Sequence, residues 1–407
     1  MSNVLFISPG YPAEMPHFAR ALATVGARVY GLSDQPAGAF SPEVRAALSD
    51  HLQVRSLWDE AAVAREVAAW RPRGGPIDRV ESMWEPSMLL AARVREALGV
   101  PGMTVAETVP FRDKGRMKEV LDAAGLRTPR HVRTKTAAGC RQAAEIVGYP
   151  LIVKPIAGAG SADTFKVRDA SEMEKVIPRI RHVEEVSVEE FIEGDEYTFD
   201  TICAGGKVHY YNVAWYRPNP LIARSVEWIS PQTISLRDPD ASRLAPGVAL
   251  GRSVLKALGF RAGYTHMEWF LTPKGEAVFG EIGARPPGAR SVDIMNYSCD
   301  ADLFVAWAEA TTHGRISKRI ERRYNAAIVF KRAQGRGRIQ RIEGLERLMA
   351  EIGEHVACVD LLPVGAPRRD WLQTLVSDGY LVVRHPDLAT TCEMADRVGT
   401  DIQMYAG

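Results

Sequence analysis

Two glutamates, Glu268 and Glu281, sit on neighbouring runs of β-branched and aromatic residues, 264–271 and 276–282, parted by Thr272-Pro273-Lys274-Gly275. That pattern predicts a β-hairpin. With Lys274-Gly275 as a two-residue loop, Pro273 faces Glu276 and the same register carries Glu268 opposite Glu281. Directly opposed side chains have Cβ atoms roughly 5 Å apart, and two negative charges there repel by about 3 kcal/mol at an effective dielectric of about 20. A hard cation relieves that repulsion, and Mg²⁺ is usually held by one or two carboxylates together with phosphate oxygens. The loop that follows, 283–290, adds Arg285 and Arg290, whose planar forks suit phosphate or carboxylate. The plainer reading is a solvated hairpin with its glutamates in water, which a one-residue slip of register would produce.

Further candidates lie upstream. Lys154 interrupts the apolar strand-like stretch Tyr149-Pro150-Leu151-Ile152-Val153-Lys154-Pro155. A lysine partly buried on a strand needs a negative partner. The loop after it carries Gly158, Gly160 and Ser161; its glycines let backbone N–H groups approach phosphate oxygens, and the serine adds a donor. Neither a Walker A motif nor the kinase signature set is present. Lys114 opens a helix predicted from Asp113 to Gly125 by the spacing of Met117, Val120 and Leu121. Taken alone it is a solvated lysine.

The segment 186–198 reads as strand, Gly194 turn and strand, with Glu189, Glu190 and Glu196 around the joint. Backbone exposed at a strand end can read an adenine edge and a nearby carboxylate can accept from ribose hydroxyls; the alternative is an edge strand protected by charge. His266 alternates onto the same face as Glu268, either bordering the site or packed beside it. Arg290 either receives a substrate carboxylate or is an exposed loop arginine. Glu81 and Glu85 fall near the carboxyl end of a predicted parallel strand, where such sheets bind ligands.

The elements that position these residues follow from periodicity. Val4-Leu5-Phe6-Ile7, a helical 18–25, a strand at 29–32, a strand at 77–80 and a helix at 88–98 make βαβ units, so residues 1–104 read as a small doubly wound α/β domain. No GxGxxG follows the first strand. A second hairpin is expected over 199–209 around Gly205-Gly206, and a helix over 248–258. Strands at 326–330, 356–362 and 379–383 then alternate with helices at 345–352 and 388–398.

Composition bounds the partners. The chain has 407 residues and is 46% hydrophobic, and its 51 Lys and Arg nearly cancel 50 Asp and Glu for a net +1. This argues against nucleic acid or an anionic membrane as the main partner. No apolar run approaches the roughly 20 residues that span a bilayer, and the amino terminus lacks a signal-like core, so a cytoplasmic location is expected. Cys140, Cys203, Cys299, Cys358 and Cys392 lack CxxC spacing; they read as small buried residues rather than zinc ligands or a disulfide framework.

In this order Lys114, Lys154 with its glycine loop, the Glu189-Glu190-Phe191-Ile192 hinge with Glu196, and the Glu268/Glu281/Arg285 hairpin resemble the ATP-grasp superfamily over nearly the whole chain. The resemblance implies a three-domain fold of α/β and α+β type: a pre-ATP-grasp domain (1–104), a nucleotide- and metal-binding region (105–317) and a carboxy-terminal domain (318–407). The last is similar to that of biotin carboxylases and L-amino acid ligases. By the same likeness ATP lies between two subdomains, with Lys114 and Lys154 on its phosphates and the 158–162 loop folded over them. Within the ATP-binding hinge that begins at Glu189, the Glu190 to Ile192 backbone meets adenine, Glu196 meets ribose, Glu268 and Glu281 hold Mg²⁺ or Mn²⁺, and Arg285 neutralises the γ-phosphate.

Two departures discriminate within the family. Gly283 stands where carboxylases have an asparagine ligand, and Pro287-Gly288-Ala289 where they have Gln-Val-Glu, so the carboxylase base is missing. The form Glu281-Ile282-Gly283-Ala284-Arg285 is closer to the amino-acid ligases. The implied activity is ADP-forming ligation of a small-molecule carboxylate to an amine through an acyl phosphate, with Lys154 and Arg285 as catalytic residues, in a chain whose relatives often form homodimers. A bicarbonate- or formate-using ligase and a silent nucleotide-binding regulator are the rival readings.

Overall fold

A strand buried at every position requires cover on both faces, and the first strand, β1 (Asn3–Ile7), is buried at all five, four of them apolar. It pairs in parallel with β2 (Arg28–Ser33) and β4 (Arg79–Glu81), and β2 pairs with β3 (Leu48–Gln53), giving a four-stranded sheet in the order β3-β2-β1-β4. The strand expected at 77–80 begins two residues later, and β3 is an addition to the sequence reading. Its run Leu-Ser-Asp-His-Leu-Gln is mostly polar because it is an edge strand with little buried surface. The structure, a computed structural model, describes residues 2–156, 163–374 and 376–407.

A second sheet, ordered β5-β8-β6-β7, contains β5 (His131–Thr134), β6 (Leu151–Pro155), β7 (Phe165–Val167) and β8 (Val186–Glu190). The helices Ala137–Val147 and Ala170–Val176 close its apolar face around Val153, Val188 and Met173. The third and largest sheet runs β14-β13-β9-β11-β12-β15-β19-β18, with β10 added alongside β9. Its members are β9 (Asp195–Ala204), β10 (Lys207–Asn212), β11 (Ala214–Arg217), β12 (Gln232–Ser235), β13 (Gly263–Leu271), β14 (Ala277–Gly283), β15 (Asn325–Phe330), β18 (Val356–Leu361) and β19 (Gly379–His385). A small sheet of β16 (Gln334–Gly335), β17 (Ile339–Glu343) and β20 (Gln403–Ala406) flanks it. Because β12 pairs with β15, the carboxy-terminal strands extend the central sheet, and one core holds Trp269 and Val254 together with Val383 and Val398.

The hairpin β13–β14 forms, but its loop corrects the expected turn. Thr272 and Glu276 close a three-residue loop, Pro273-Lys274-Gly275, through Thr272 N–H to Glu276 O at 2.9 Å, and Gly275 takes the left-handed conformation with φ +79°. That register pairs Trp269 with Phe279, one residue away from the expected alignment. A β-bulge at Gly280 then inserts one residue, so Glu268 pairs with Glu281 after all. Gly280 suits the bulge, since a Cβ there would lie 2.9 Å from Glu268 O. Among the described residues no helix is long and apolar enough to cross a membrane, and all five cysteines are free thiols.

Candidate active site

The helix Lys114–Ala123 is capped by Asp113, whose carboxylate accepts from Gly115 N and Arg116 N at 2.9 Å each. Helical spacing sets Lys114 and Lys118 one turn apart on one face. Lys114 Nζ lies 2.8 Å from Glu281 Oε1 on β14. Lys118 is fully buried and pairs with Glu189 on β8, which also receives Lys154 of β6 at 2.9 Å. The antiparallel β6–β8 register delivers that second contact by pairing Lys154 with Ser187 and Ile152 with Glu189.

This triad of charges governs its own ionisation. Burial alone would raise the Glu189 carboxyl, but Lys118 and Lys154 hold it far below the usual range. Burial lowers Lys118 to about 8, with Glu189 opposing. Burial also works against the Lys154 ammonium, yet Glu189 and Glu281 hold it above its ordinary value. The geometry supports charged forms of all three at neutral pH, because Glu189 stands between two cations.

The joint between β8 and β9 turns Glu190 outward. Arg127 grips its two oxygens at 3.1 and 3.2 Å and the Arg130 backbone N–H donates at 3.1 Å, while Phe191 carries Lys166 over its ring at 3.5 Å. Gly194 is required by crowding, since a Cβ would lie 2.4 Å from Leu271 O. Beyond it Glu196 is buried beside Glu268, and burial followed by that neighbouring carboxylate pushes its pKa well up.

On β13, His266 Nδ1 lies 2.6 Å from Asp200 Oδ1 and Nε2 3.4 Å from Glu268 Oε1, and Tyr216 OH donates to the same oxygen at 3.4 Å. Asp200 is further held by Thr198 Oγ1 at 2.7 Å and Asn212 Nδ2 at 3.2 Å. Burial lowers the imidazole pKa, but Asp200 and Glu268 outweigh it and hold it at about 9. The folded value exceeds the unfolded 6.5, so this group's stabilisation is complete below about pH 6.5 and is lost as pH rises through 9. We expect the unfolding free-energy gap between wild type and His266→Gln, read from denaturation midpoints, to be widest near pH 6 and to narrow toward pH 10, by about 3 kcal/mol at most. A gap independent of pH would contradict the charged imidazole.

Arg285 binds a residue 200 positions away: its Nε and Nη2 lie 2.9 and 2.8 Å from Glu85 Oε2, and Arg112 takes the other oxygen of Glu85. The two guanidiniums hold the Glu85 carboxyl below its usual value against the effect of burial.

These groups converge on a cavity of about 330 Å³, lined by Lys114, Lys154, Glu189, Glu196, His266, Glu268, Glu281, Arg285, Glu85 and the 190–192 hinge. Gly158, Gly160 and Ser161 lie outside the described residues. Arg290 does not line the cavity: φ +61° turns the chain there, and its guanidinium lies 3.7 Å from Asp293. Glu81 is likewise elsewhere, 3.9 Å from Arg95. Sequence reasoning missed Lys118, Asp200 and Arg332. Only Lys118 had a local signal, its i+4 spacing from Lys114; the others depend on strand pairings and loop packing far apart in the chain.

Among the described residues no group of three or more His, Cys, Asp or Glu side chains is arranged to hold a metal ion. Two facing carboxylates, completed by phosphate oxygens, fit the preference of Mg²⁺ for hard oxygen ligands.

Residues 111–214 match the family model of the ATP-grasp domain. The chain is 25% identical over 247 residues to the L-arginine-specific L-amino acid ligase of Bacillus subtilis, covering 59% of each chain. It is 36% identical over 110 residues to a D-alanine–D-alanine ligase of Pseudomonas fluorescens (strain Pf0-1), covering 26% of this chain and 34% of that one. The chain thus spans little more than half the length of the Bacillus subtilis relative. Among solved structures, the L-amino acid ligase of Bacillus licheniformis superposes with TM-score 0.78 at 22% identity, covering 100% of this chain and 99% of that one. N5-carboxyaminoimidazole ribonucleotide synthetase of Thermotoga maritima follows with TM-score 0.73 at 18% identity, covering 100% of both.

Proposed function

We propose that this chain, which has the ATP-grasp fold, is an ADP-forming ligase that joins a small-molecule carboxylate to an amine. The observation that carries the reading is the meeting of Glu268 and Glu281 with Lys114, Lys154 and Arg285 around one cavity. Three sections divide the work: 1–104 contributes Glu85, 105–317 the nucleotide and metal groups, and 318–407 the far wall.

In this reading a carboxylate oxygen of the first substrate bonds to the γ-phosphorus of ATP as the bond to the β,γ-bridging oxygen breaks, giving an acyl phosphate and ADP. The amine nitrogen then bonds to the acyl carbon, orthophosphate leaves and the nitrogen gives up its extra proton. No protein nucleophile is required, so catalysis rests on alignment and charge. Glu268 and Glu281 would hold Mg²⁺, which supplies neutralisation of phosphate charge. Lys114 and Lys154 reach phosphate oxygens from two walls. Arg285, oriented by Glu85, offsets charge on the transferring phosphoryl group. The 190–192 backbone takes the adenine edge, and Glu196 is placed for the ribose hydroxyls.

The direct test is phosphate and ADP release across pairs of amino acids, with mass spectrometry of the product. An amide product with stoichiometric ADP supports the assignment. ATP binding without ADP release from any pair would make the chain a nucleotide-binding regulator. Release driven by bicarbonate with no need for an amino acid would move it to carboxylase-like chemistry.

A further inference from the structure

The cavity wall between Arg285 and the helix Ser291–Cys299 is held in a shape that its residue types disfavour. Gly288, Ala289 and Ser291 line the cavity, and Arg290 does not. Ala289 and Arg290 have φ of +53° and +61°, and among the described residues they are the only two sequence neighbours, neither of them glycine, that both lie in the left-handed region. There the Cβ of an L residue crowds the following carbonyl oxygen, so two in succession persist only where the surroundings over-determine them. Local bonds supply part of that hold. Ser291 Oγ and Ser291 N both donate to Gly288 O, at 2.6 and 3.1 Å, and Ile294 N donates to Arg290 O at 3.1 Å. They close the turn without requiring an arginine at 290.

The Arg290 side chain leaves the cavity for a meeting point of distant segments. Its Nη1 lies 3.7 Å from Asp293 Oδ2, an oxygen that is buried with no hydrogen-bond partner among the described residues. Burial raises the Asp293 carboxyl, and Arg290 is first among the charges opposing that rise. Glu14, at the N-cap of the helix Met15–Thr24, faces the same guanidinium, as do Asp360 and Tyr380, which are directly paired on β18 and β19. Burial lowers the guanidinium pKa, but Tyr380, Asp293, Glu14 and Asp360 outweigh it and hold it above its ordinary value. Three parts of the chain far apart in sequence thus grip the one residue of the 288–291 turn that does not face the cavity.

We propose that Arg290 is a positioning residue: anchored outside the cavity, its guanidinium holds the left-handed turn that shapes the wall at Gly288–Ser291. The turn begins three residues after Arg285, so it fixes the space beside the group that offsets phosphoryl charge. That kinetic consequence rests on the ligase reading, whereas the hold on the turn does not. A reacting group misplaced by about 1 Å loses on the order of 100-fold in rate. An arginine that merely joined the segments would, when removed, lower stability throughout and leave the wall no more mobile than the rest of the protein.

The test is amide hydrogen exchange of the full chain, read by mass spectrometry on the peptide 286–296, which carries the Ser291 and Ile294 amides, together with steady-state kinetics. In Arg290→Met, exchange in that peptide is expected to rise by about tenfold or more while the helix Ala245–Ala257 stays as in wild type. Arg290→Lys, which keeps the charge, recovers part of the protection. With amide formation as the readout, Arg290→Met lowers kcat by about tenfold and leaves KM for ATP within about twofold. Should Arg290→Met fail to fold, Asp293→Asn removes one anchor and is read in the same way. Unchanged exchange in the 286–296 peptide, or a rise shared equally by the helix Ala245–Ala257, overturns the proposal, and so does raised local exchange with kcat unaltered. A wild type that forms no amide sinks the ligase reading alone, and the exchange result then decides the hold on the turn by itself.

Discussion

Replacing Glu281 by glutamine is expected to lower ATP turnover by about 100-fold or more while leaving the fold intact. Glutamine keeps the volume of the side chain and can still accept the hydrogen bond from Lys114, which lies 2.8 Å away. What it loses is one of two negative charges aimed at the same space from paired positions on β13 and β14. A cation held by two carboxylates and phosphate oxygens is bound more weakly by one, and removing a single group that stabilises transition-state charge typically costs about 10²–10³ in rate. Steady-state ADP release at saturating Mg²⁺ reads the effect, with a melting curve as the control for folding. Turnover equal to wild type would remove this carboxylate from the proposed mechanism and, with it, the main support for the metal site.

The largest expected effect on stability lies one turn along the helix from Lys114. Lys118→Met strands the Glu189 carboxylate, which is 3% exposed, with Lys154 as its remaining partner. An uncompensated buried charge costs about 3–5 kcal/mol, but Lys154 still offsets Glu189 here, so the expected loss is that of one hydrogen bond to a charged group, about 1.5–3 kcal/mol. Methionine fills much of the same volume, so the loss measures charge rather than a cavity. Chemical denaturation should show a large fall in the unfolding midpoint. The matched control is Lys135→Met, which breaks the exposed pair with Glu184 and is expected to change stability by about 0.5 kcal/mol or less. Should the two variants prove equally stable, the buried cluster would have to be neutral or hydrated, and the charged state assigned to Glu189 would be wrong.

Both predictions depend on contacts with different histories in the sequence. Glu268 and Glu281 were legible as a pair because strand alternation and a short turn are local properties. Even so, the loop was one residue longer than the turn residues implied, and only the bulge at Gly280 restored the alignment. The result came from two departures that cancelled, a reminder that register is set by the whole ladder and not by the turn alone. Lys154 was legible in a different way: a charge inside an apolar strand demands a partner, though nothing local says that the partner is Glu189. Arg290 illustrates the opposite case. Its residue type suited a carboxylate, but its backbone takes a left-handed conformation before the helix Ser291–Cys299 and its side chain turns to Asp293.

By itself the sequence determined the order and kind of most elements, the hairpin with its paired glutamates, the buried lysine, the acidic hinge and the balance of charge that disfavours polyanionic partners. These are encoded within windows of a few residues, through side-chain alternation, helical spacing and turn chemistry. Tertiary structure alone decided that Arg285 meets Glu85 and that Lys118 and Lys154 share Glu189. The reason is that a charge can be buried only where distant segments bring it a counter-charge. That choice is made by the packing of three sheets against one another, which no short stretch of chain contains.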